Sequence, residues 1–210
     1  NGVKYYDTLT GFKYIGEVKK HELGKENYIV GGEESYGFLV GDLVRDKDAV
    51  NSCAFIAEMA AYFKTQGKSL YEVLLELYVN YGFYKEKLIS LTKKGKAGAD
   101  EIKQMMVDLR ADAPKTLGGV QVKEIRDYEN QVATNLISGD TSVIDLPKSD
   151  VLQFITVDGD VISARPSGTE PKIKFYCSVK ETLLDASNYE AISAKLEQKV
   201  ENIMADIVKG

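Results

Sequence analysis

The residues from Lys172 to Val179 alternate strictly between polar and apolar side chains, and this pattern constrains the fold more than any other. A period of two residues is typical of a β-strand with one face on a core and the other toward solvent. Upstream, Val151–Val157 and Asp160–Ala164 flank an Asp-Gly pair, which is typical of a hairpin with a type I′ turn. The sequence therefore predicts an antiparallel sheet in the C-terminal part. The apolar positions of the alternating strand are Ile173, Phe175, Cys177 and Val179.

Three helices are predicted from clear local signals. Apolar side chains occupy almost every position of Asp48–Lys64, and a helix that is apolar nearly all round is expected to be buried. Ser69 and Glu72 have the spacing of a capping box, which predicts the start of the next helix. Ser187 and Glu190 repeat that spacing and predict the start of the last helix.

The remaining chain divides into further helical segments, strands and connections. Short apolar runs predict strands at Asn27–Gly32, Phe38–Val44, Phe83–Thr92 and Val120–Ile125, and the first of these is expected to be buried. Tyr128–Asp150 is polar and irregular, and we interpret it as a long connection. We expect two units, residues 1–80 and 81–210, of which the second is an α+β layer sandwich.

Charge and hydropathy limit the classes of function. The chain of 210 residues carries 32 acidic and 27 basic side chains, and its net charge of -5 disfavours nonspecific nucleic-acid binding. No apolar run is long enough to span a membrane, and the N-terminus lacks the pattern of a signal peptide. We therefore expect neither nucleic-acid nor membrane partners. An anionic ligand must be bound by a local group of cations.

Cysteine and histidine usage indicates the compartment. Cys53 and Cys177 lack the spacing of a disulfide framework or a zinc site, and we interpret both as reduced core residues of a cytoplasmic protein. His21 is the single histidine, which excludes metal sites built from several histidines. The chain begins at Asn1 without an initiator methionine, which suggests a piece of a longer protein.

One loop between two predicted strands has the composition of an anion-binding site. Residues 165–171 combine the guanidinium of Arg165 with the hydroxyls of Ser167 and Thr169 and with Gly168. An oxyanion is bound by such a cationic fork, by hydroxyl donors and by backbone N–H groups that a glycine leaves accessible. The alternative interpretation is a turn rich in proline and glycine with solvated lysines.

A second glycine-flanked loop and one lysine are further candidates. Glu33, Glu34 and Ser35 lie between glycines after a predicted strand, and carboxylates with a hydroxyl suit hydrogen bonds to neighbouring sugar hydroxyls. A tight turn with exposed acids is the alternative. Lys13 follows Thr10-Gly-Phe, and a lysine there is either solvated or, when buried, a general acid or base.

Taken in order, four segments resemble the α-D-phosphohexomutases, the phosphoglucomutase and phosphomannomutase family. They are Thr10-Gly-Phe-Lys13, Gly32-Glu-Glu-Ser-Tyr-Gly37, Arg45-Asp-Lys-Asp48 and the stretch from Arg165 to Tyr176. The resemblance covers nearly the whole chain. It implies that residues 1–80 are the C-terminal part of domain 3, a partial three-layer α/β domain. It further implies that residues 81–210 are domain 4, an α+β fold with an antiparallel sheet packed by helices and similar to the TATA-box-binding protein.

The resemblance also implies roles for individual residues. Sugar hydroxyls would be bound by Glu33 and Ser35, and Lys13 would be a possible acid or base. The phosphate that is not transferred would be held by Arg165, Ser167, Gly168 and Thr169.

Members of this family interconvert sugar 1-phosphates and sugar 6-phosphates through a phosphoserine and a bisphosphate intermediate. The resemblance therefore implies Mg²⁺ and glucose 1,6-bisphosphate as cofactors of the parent enzyme, with a phosphosugar and its N-terminal domains as partners. The phosphoserine loop and the metal loop of the family have no counterpart in this sequence. We expect this chain alone to bind no metal or cofactor and to be inactive. The alternatives are a stand-alone phosphosugar-binding or regulatory module and a nucleic-acid-binding sheet, which the acidic balance disfavours.

Overall fold

The computed structural model describes residues 2–22, 28–34, 36–41 and 43–209. The chain divides into two units, Asn1–Leu74 and Leu75–Gly210, and each is described by itself. The first unit contains a hairpin of two antiparallel three-residue strands, with Val30 opposite Val40. Its elements are α1 (Phe12–Glu22), β1 (Val30–Gly32), β2 (Phe38–Val40), α2 (Ala49–Thr65) and the first turns of α3 (Leu70–Tyr81).

Side-chain caps start two of these helices. Asp48 precedes α2 and accepts a hydrogen bond of 2.9 Å from the backbone N–H of Asn51. At the start of α3, the backbone N–H of Ser69 donates to the Glu72 carboxylate at 2.7 Å, and the Glu72 N–H donates to the Ser69 hydroxyl at 3.2 Å. The capping box predicted at α3 is therefore confirmed.

The prediction that α2 is buried was wrong. Most of its large apolar side chains are exposed, including Val50 at 82%, Tyr62 at 60% and Ile56 at 49%. Ser52 is its buried residue, and Cys53, expected in the core, is exposed as well. The physical reason is a shortage of covering surface, because the sheet that the described residues of this unit offer has two strands of three residues each. The first strand also differs from expectation, since Val30 is 47% exposed.

A buried lysine secures the loop that precedes α2. Lys19 is 2% exposed and lies on α1. Its ammonium donates to the backbone carbonyls of Gly41 at 3.1 Å and Val44 at 2.8 Å. These bonds satisfy a charge that would otherwise be costly to bury, and they tie α1 to the chain segment just before Arg45.

The second unit is built on an eight-stranded sheet whose paired strands are all antiparallel. The strand order is β3-β10-β9-β8-β5-β6-β7, with β4 paired to β5. The strands are β3 (Phe83–Thr92), β4 (Thr116–Leu117), β5 (Val120–Asp127), β6 (Val132–Asn135), β7 (Thr141–Val143), β8 (Leu152–Thr156), β9 (Val161–Pro166) and β10 (Lys172–Glu181). The helices are α4 (Gly95–Ala111) and α5 (Tyr189–Lys209).

The core of this unit lies on one face of the sheet. The alternation predicted for β10 is confirmed, since its apolar side chains are buried while the intervening ones are partly exposed. Ile102 and Met106 of α4 and Leu196 and Ile203 of α5 belong to the same buried cluster as Phe175. Both helices therefore pack on this face. We call the opposite face, which carries Ser163, Arg165, Lys174 and Tyr176, the outer face.

Three local expectations for this unit need correction. Tyr128–Asp150 contains β6 and β7, which extend the sheet beyond β5, and is more than a connection. The hairpin of β8 and β9 forms, but its turn is not of type I′. A type I′ turn requires a positive φ at both central residues, whereas here Gly159 has a positive φ of 83° and Asp158 does not. Near the C-terminus Asp185, and not Ser187, is the capping side chain, and α5 starts at Tyr189.

Within the described ranges, no helix is both long enough and apolar enough to cross a membrane.

Candidate functional site

The chain places two cations directly opposite one another on the outer face. Arg165 near the end of β9 is the register partner of Lys174 in β10. Side chains at such positions have Cβ atoms about 5 Å apart, and like charges there repel. In the part of the chain that the structure describes, neither cation is within salt-bridge distance of a carboxylate, whereas the neighbouring Lys172 lies 3.7 Å from Glu170. The register therefore concentrates two positive charges at one place on the outer face.

The loop between these cations is held by its own hydrogen bonds. The Ser167 hydroxyl oxygen accepts from the backbone N–H groups of Thr169 at 3.4 Å and Glu170 at 3.3 Å. The Ser167 N–H donates to the Lys172 carbonyl at 2.7 Å, which closes the loop at its base. The oxygen of the Ser167 hydroxyl is therefore held in place by two backbone donors.

Gly168 lies exposed in the middle of this loop. A Cβ built on it would meet no atom within 4 Å, and its φ is not in the left-handed region. The fold of the chain therefore does not require a glycine at this position.

In the first unit, the structure joins two of the motifs singled out in the sequence. The backbone N–H of Gly11 donates to the Glu33 carboxylate at 2.9 Å, and the Glu33 N–H donates to the Gly37 carbonyl at 2.8 Å. Glu33 is partly buried and held in place by these bonds. Ser35, the other predicted sugar-binding residue, lies outside the described residues.

Lys47 was not singled out individually, although the Arg45–Asp48 motif contains it. A Cβ on Gly37 would lie 2.8 Å from Lys47 Cδ and 3.0 Å from Glu33 Oε2, so both side chains crowd around this glycine. The Lys47 ammonium is 4.9 Å from the centre of the Phe12 ring and 2.9 Å from the Asp46 carboxylate. Hydrogen bonds from Lys47 lower the pKa of Asp46. The structure therefore adds a cation beside Glu33.

Lys13 is the second residue of α1 and is exposed. Its ammonium lies 4.7 Å from the centre of the Tyr14 ring. A lysine acts as a general base at neutral pH when burial or a neighbouring cation lowers its pKa. Within this unit the surroundings of Lys13 supply no such burial.

Two further features lie away from these residues. A cavity of about 460 Å³ in the second unit is lined by residues that include Tyr81, Tyr84, Lys180 and Lys199, none of them a predicted site residue. Among the described residues, no group of three or more His, Cys, Asp or Glu side chains is arranged to hold a metal ion. These residues therefore do not fit a Mg²⁺ site by themselves.

The structure thus defines a mixed α/β protein whose second unit is an antiparallel sheet packed by helices on one face. Residues 1–81 match the family model of "Phosphoglucomutase/phosphomannomutase, alpha/beta/alpha domain III". Residues 101–184 match the model of the "Phosphoglucomutase/phosphomannomutase, C-terminal domain". The chain belongs to the phosphoglucomutase/phosphomannomutase family, and the resemblance noted in the sequence is confirmed.

Individual relatives agree with this assignment. A phosphoglucomutase of Staphylococcus epidermidis is 37% identical over 202 residues, which are 96% of this chain and 36% of that protein. A phosphoglucomutase of Staphylococcus aureus strain MRSA252 is 41% identical over 180 residues, which are 86% of this chain and 32% of that protein. The chain therefore spans about a third of the length of these relatives. Phosphoglucomutases are isomerases.

A solved structure shares the fold. The exocytosis-sensitive phosphoprotein pp63/parafusin, a phosphoglucomutase from Paramecium in an open form, aligns with a TM-score of 0.60 at 19% sequence identity. The alignment covers 100% of this chain and 35% of that chain.

Proposed function

We propose that this chain is the phosphosugar-recognition part of a phosphohexomutase that interconverts a sugar 1-phosphate and a sugar 6-phosphate. The family assignment supports the reaction class. The observation that carries the proposal is the pair Arg165 and Lys174, two like charges held face to face by the strand register. Such an arrangement is unfavourable until an anion lies between the cations. A phosphate monoester supplies that charge together with several acceptor oxygens.

In this proposal the phosphate that is not transferred binds at the rim of the sheet. Arg165 and Lys174 neutralise it, and Ser167 and Thr169 donate hydroxyl hydrogen bonds. Gly168 leaves room for the phosphate to approach the backbone, and a residue with a larger side chain would restrict this approach. A clamp of this kind holds one end of the substrate while the sugar turns over between the two half-reactions.

In this proposal the hydroxyls of the sugar are recognised by residues of the first unit. Glu33 accepts hydrogen bonds from sugar hydroxyls, and Ser35 is its proposed partner in that role. Lys47, which the structure adds beside Glu33, supplies a cation next to these hydroxyls. Lys13 is the proposed acid or base, and its side chain is exposed in this unit.

The reacting phosphoserine, the Mg²⁺ ion and glucose 1,6-bisphosphate are assigned to the complete enzyme. Mg²⁺ stabilises the charge that develops during phosphoryl transfer. The described carboxylates of this chain do not form a site for the ion. The proposed partners are the phosphosugar and the other domains of the same protein. Two free thiols favour the cytoplasm as the location.

The experiment that tests the clamp is calorimetric titration of glucose 1-phosphate into this protein and its Arg165→Ala variant. We expect Arg165→Ala to weaken binding at least about tenfold, the effect of losing a charged hydrogen-bonding partner. Lys103→Ala is the matched control, because it removes one positive charge from an exposed position on α4. Equal affinities for wild type and Arg165→Ala, or no binding by the folded wild type, would contradict the clamp.

A further inference from the structure

The Tyr176 hydroxyl is a buried polar group without a partner. Its oxygen is shielded from solvent and has no hydrogen-bond partner among the described residues. Leaving such a group unpaired is unfavourable, and a phenylalanine would fill the same space without that penalty. A tyrosine at this position therefore has no explanation in the packing of the free chain.

The position of Tyr176 connects it with the cation pair. It follows Lys174 by two residues in β10, so both side chains lie on the outer face. The Lys174 ammonium is 6.0 Å from the centre of the Tyr176 ring. Ser163, two residues before Arg165 in β9, is the register partner of Tyr176. The hydroxyl thus belongs to the row of side chains directly behind Arg165 and Lys174.

The other polar side chains of this row already have partners. Gln153 donates to the Ser163 hydroxyl at 3.1 Å, and its carbonyl oxygen accepts from Arg126 and from the Tyr128 hydroxyl, each at 3.5 Å. These bonds run across β5, β8 and β9 and stop at Tyr176. No described neighbour in the row is arranged to satisfy the last hydroxyl, so among the described residues this hydroxyl is left free to bind a ligand.

We propose that the Tyr176 hydroxyl is a ligand-binding group of the Arg165 and Lys174 clamp, and that an oxygen of the bound phosphosugar supplies its missing hydrogen bond. This inference rests on the proposed function, since it needs an anion at the clamp. A phosphate bound by Lys174 lies close to this row of side chains, because the Lys174 ammonium is 6.0 Å from the centre of the Tyr176 ring. The hydroxyl then donates to a ligand oxygen at the moment the clamp closes.

Tyr176→Phe tests this inference because it affects the free and bound proteins in opposite directions. In the free protein the variant loses no hydrogen bond, so its melting temperature should equal or exceed that of the wild type. In the complex it loses one hydrogen bond to a charged or hydroxylated ligand, so affinity for glucose 1-phosphate should fall about tenfold. Tyr128→Phe, which removes a hydroxyl from the same face, is the control and should bind as the wild type does.

Two probes show which part of the ligand is bound. If inorganic phosphate also binds more weakly to Tyr176→Phe, the hydroxyl contacts the phosphate, and if glucose 1-phosphate alone is affected, it contacts the sugar. Either result supports the inference.

Wild-type affinity in Tyr176→Phe, with weak binding in Arg165→Ala, would overturn the inference and leave the proposed function intact. A clear drop in melting temperature of Tyr176→Phe would also overturn it, since the hydroxyl would then have a partner in the free protein. Unchanged binding in Arg165→Ala would instead remove the proposed function itself.

Discussion

Lys199 of α5 forms a 2.8 Å ion pair with Asp160, whose carboxylate has no exposure to solvent. The Thr156 hydroxyl donates to the same carboxylate at 3.0 Å. The pair connects the last helix to the turn between β8 and β9. It is therefore an internal brace of the second unit, remote in the sheet from the Arg165 loop.

Replacing Lys199 by alanine should destabilise the protein strongly. The substitution leaves the Asp160 charge buried without its cation, which costs about 3–5 kcal/mol. Lys195→Ala is the control, because Lys195 pairs with Glu181 and is 64% exposed, and its loss should cost less than about 1 kcal/mol. Urea denaturation followed by circular dichroism measures both values. Equal stabilities of the two variants would show that the buried pair does not brace the unit.

Gly168→Ala should leave the stability of the fold unchanged and weaken the binding of a phosphosugar. A methyl group at this position meets no atom within 4 Å, so the melting temperature should stay within about 2 °C of the wild-type value. If phosphate approaches the backbone here, affinity for glucose 1-phosphate should nevertheless fall. Thermal unfolding and calorimetry on the same sample test both parts. Unchanged affinity would mean that the phosphate does not lie over Gly168.

The two cysteines should differ sharply in reactivity. Burial, and to a smaller degree the negative charge of Asp160, raise the pKa of Cys177 to about 12. Its thiolate is therefore scarce at about pH 8.5, where iodoacetamide should label the exposed Cys53 alone, as peptide mass spectrometry would show. Labelling of Cys177 should require denaturant. Rapid labelling of both cysteines in the native protein would contradict the burial of β10.

The same pKa shift has a consequence for stability. In the unfolded chain the thiol loses its proton near its ordinary pKa of 9.0, whereas in the folded protein it keeps the proton until about pH 12. The unfolded state thus binds fewer protons between these values. Stability should be at its full value below about pH 9 and fall as the pH rises above it.

This chain by itself should not interconvert glucose 1-phosphate and glucose 6-phosphate. Phosphoryl transfer requires a nucleophile, a metal ion and positioned charges together, and the chain spans 36% of its S. epidermidis relative. A dehydrogenase-coupled assay with added Mg²⁺ and glucose 1,6-bisphosphate measures turnover directly. Activity that copurifies with the chain and is lost in Arg165→Ala would contradict this expectation.

The features predicted correctly from the sequence have local causes. The capping box of Ser69 and Glu72 depends on residues three positions apart, and the alternation in β10 depends on the period of a strand. Both patterns involve residues that are close together in the sequence. The family assignment had the same basis, because each of its motifs is a short contiguous segment.

The features that sequence analysis missed depend on distant partners. The apolar composition of α2 predicts burial, but burial requires covering surface, and Val50 is left 82% exposed. The strands β6 and β7 have four and three residues, too few to show a period. Lys174 was not singled out, because its position opposite Arg165 follows from the strand register.

The strand register also has an evolutionary consequence. The spacing of Arg165 and Lys174 is set by hydrogen-bonded neighbours in β9 and β10 and is independent of the loop that connects them. If the two cations bind an anion as proposed, substitutions or insertions between residues 167 and 171 can change which anion is preferred while the two charges stay in place. Related proteins could then differ in substrate through changes in this short loop alone, while the positive charges of Arg165 and Lys174 are retained.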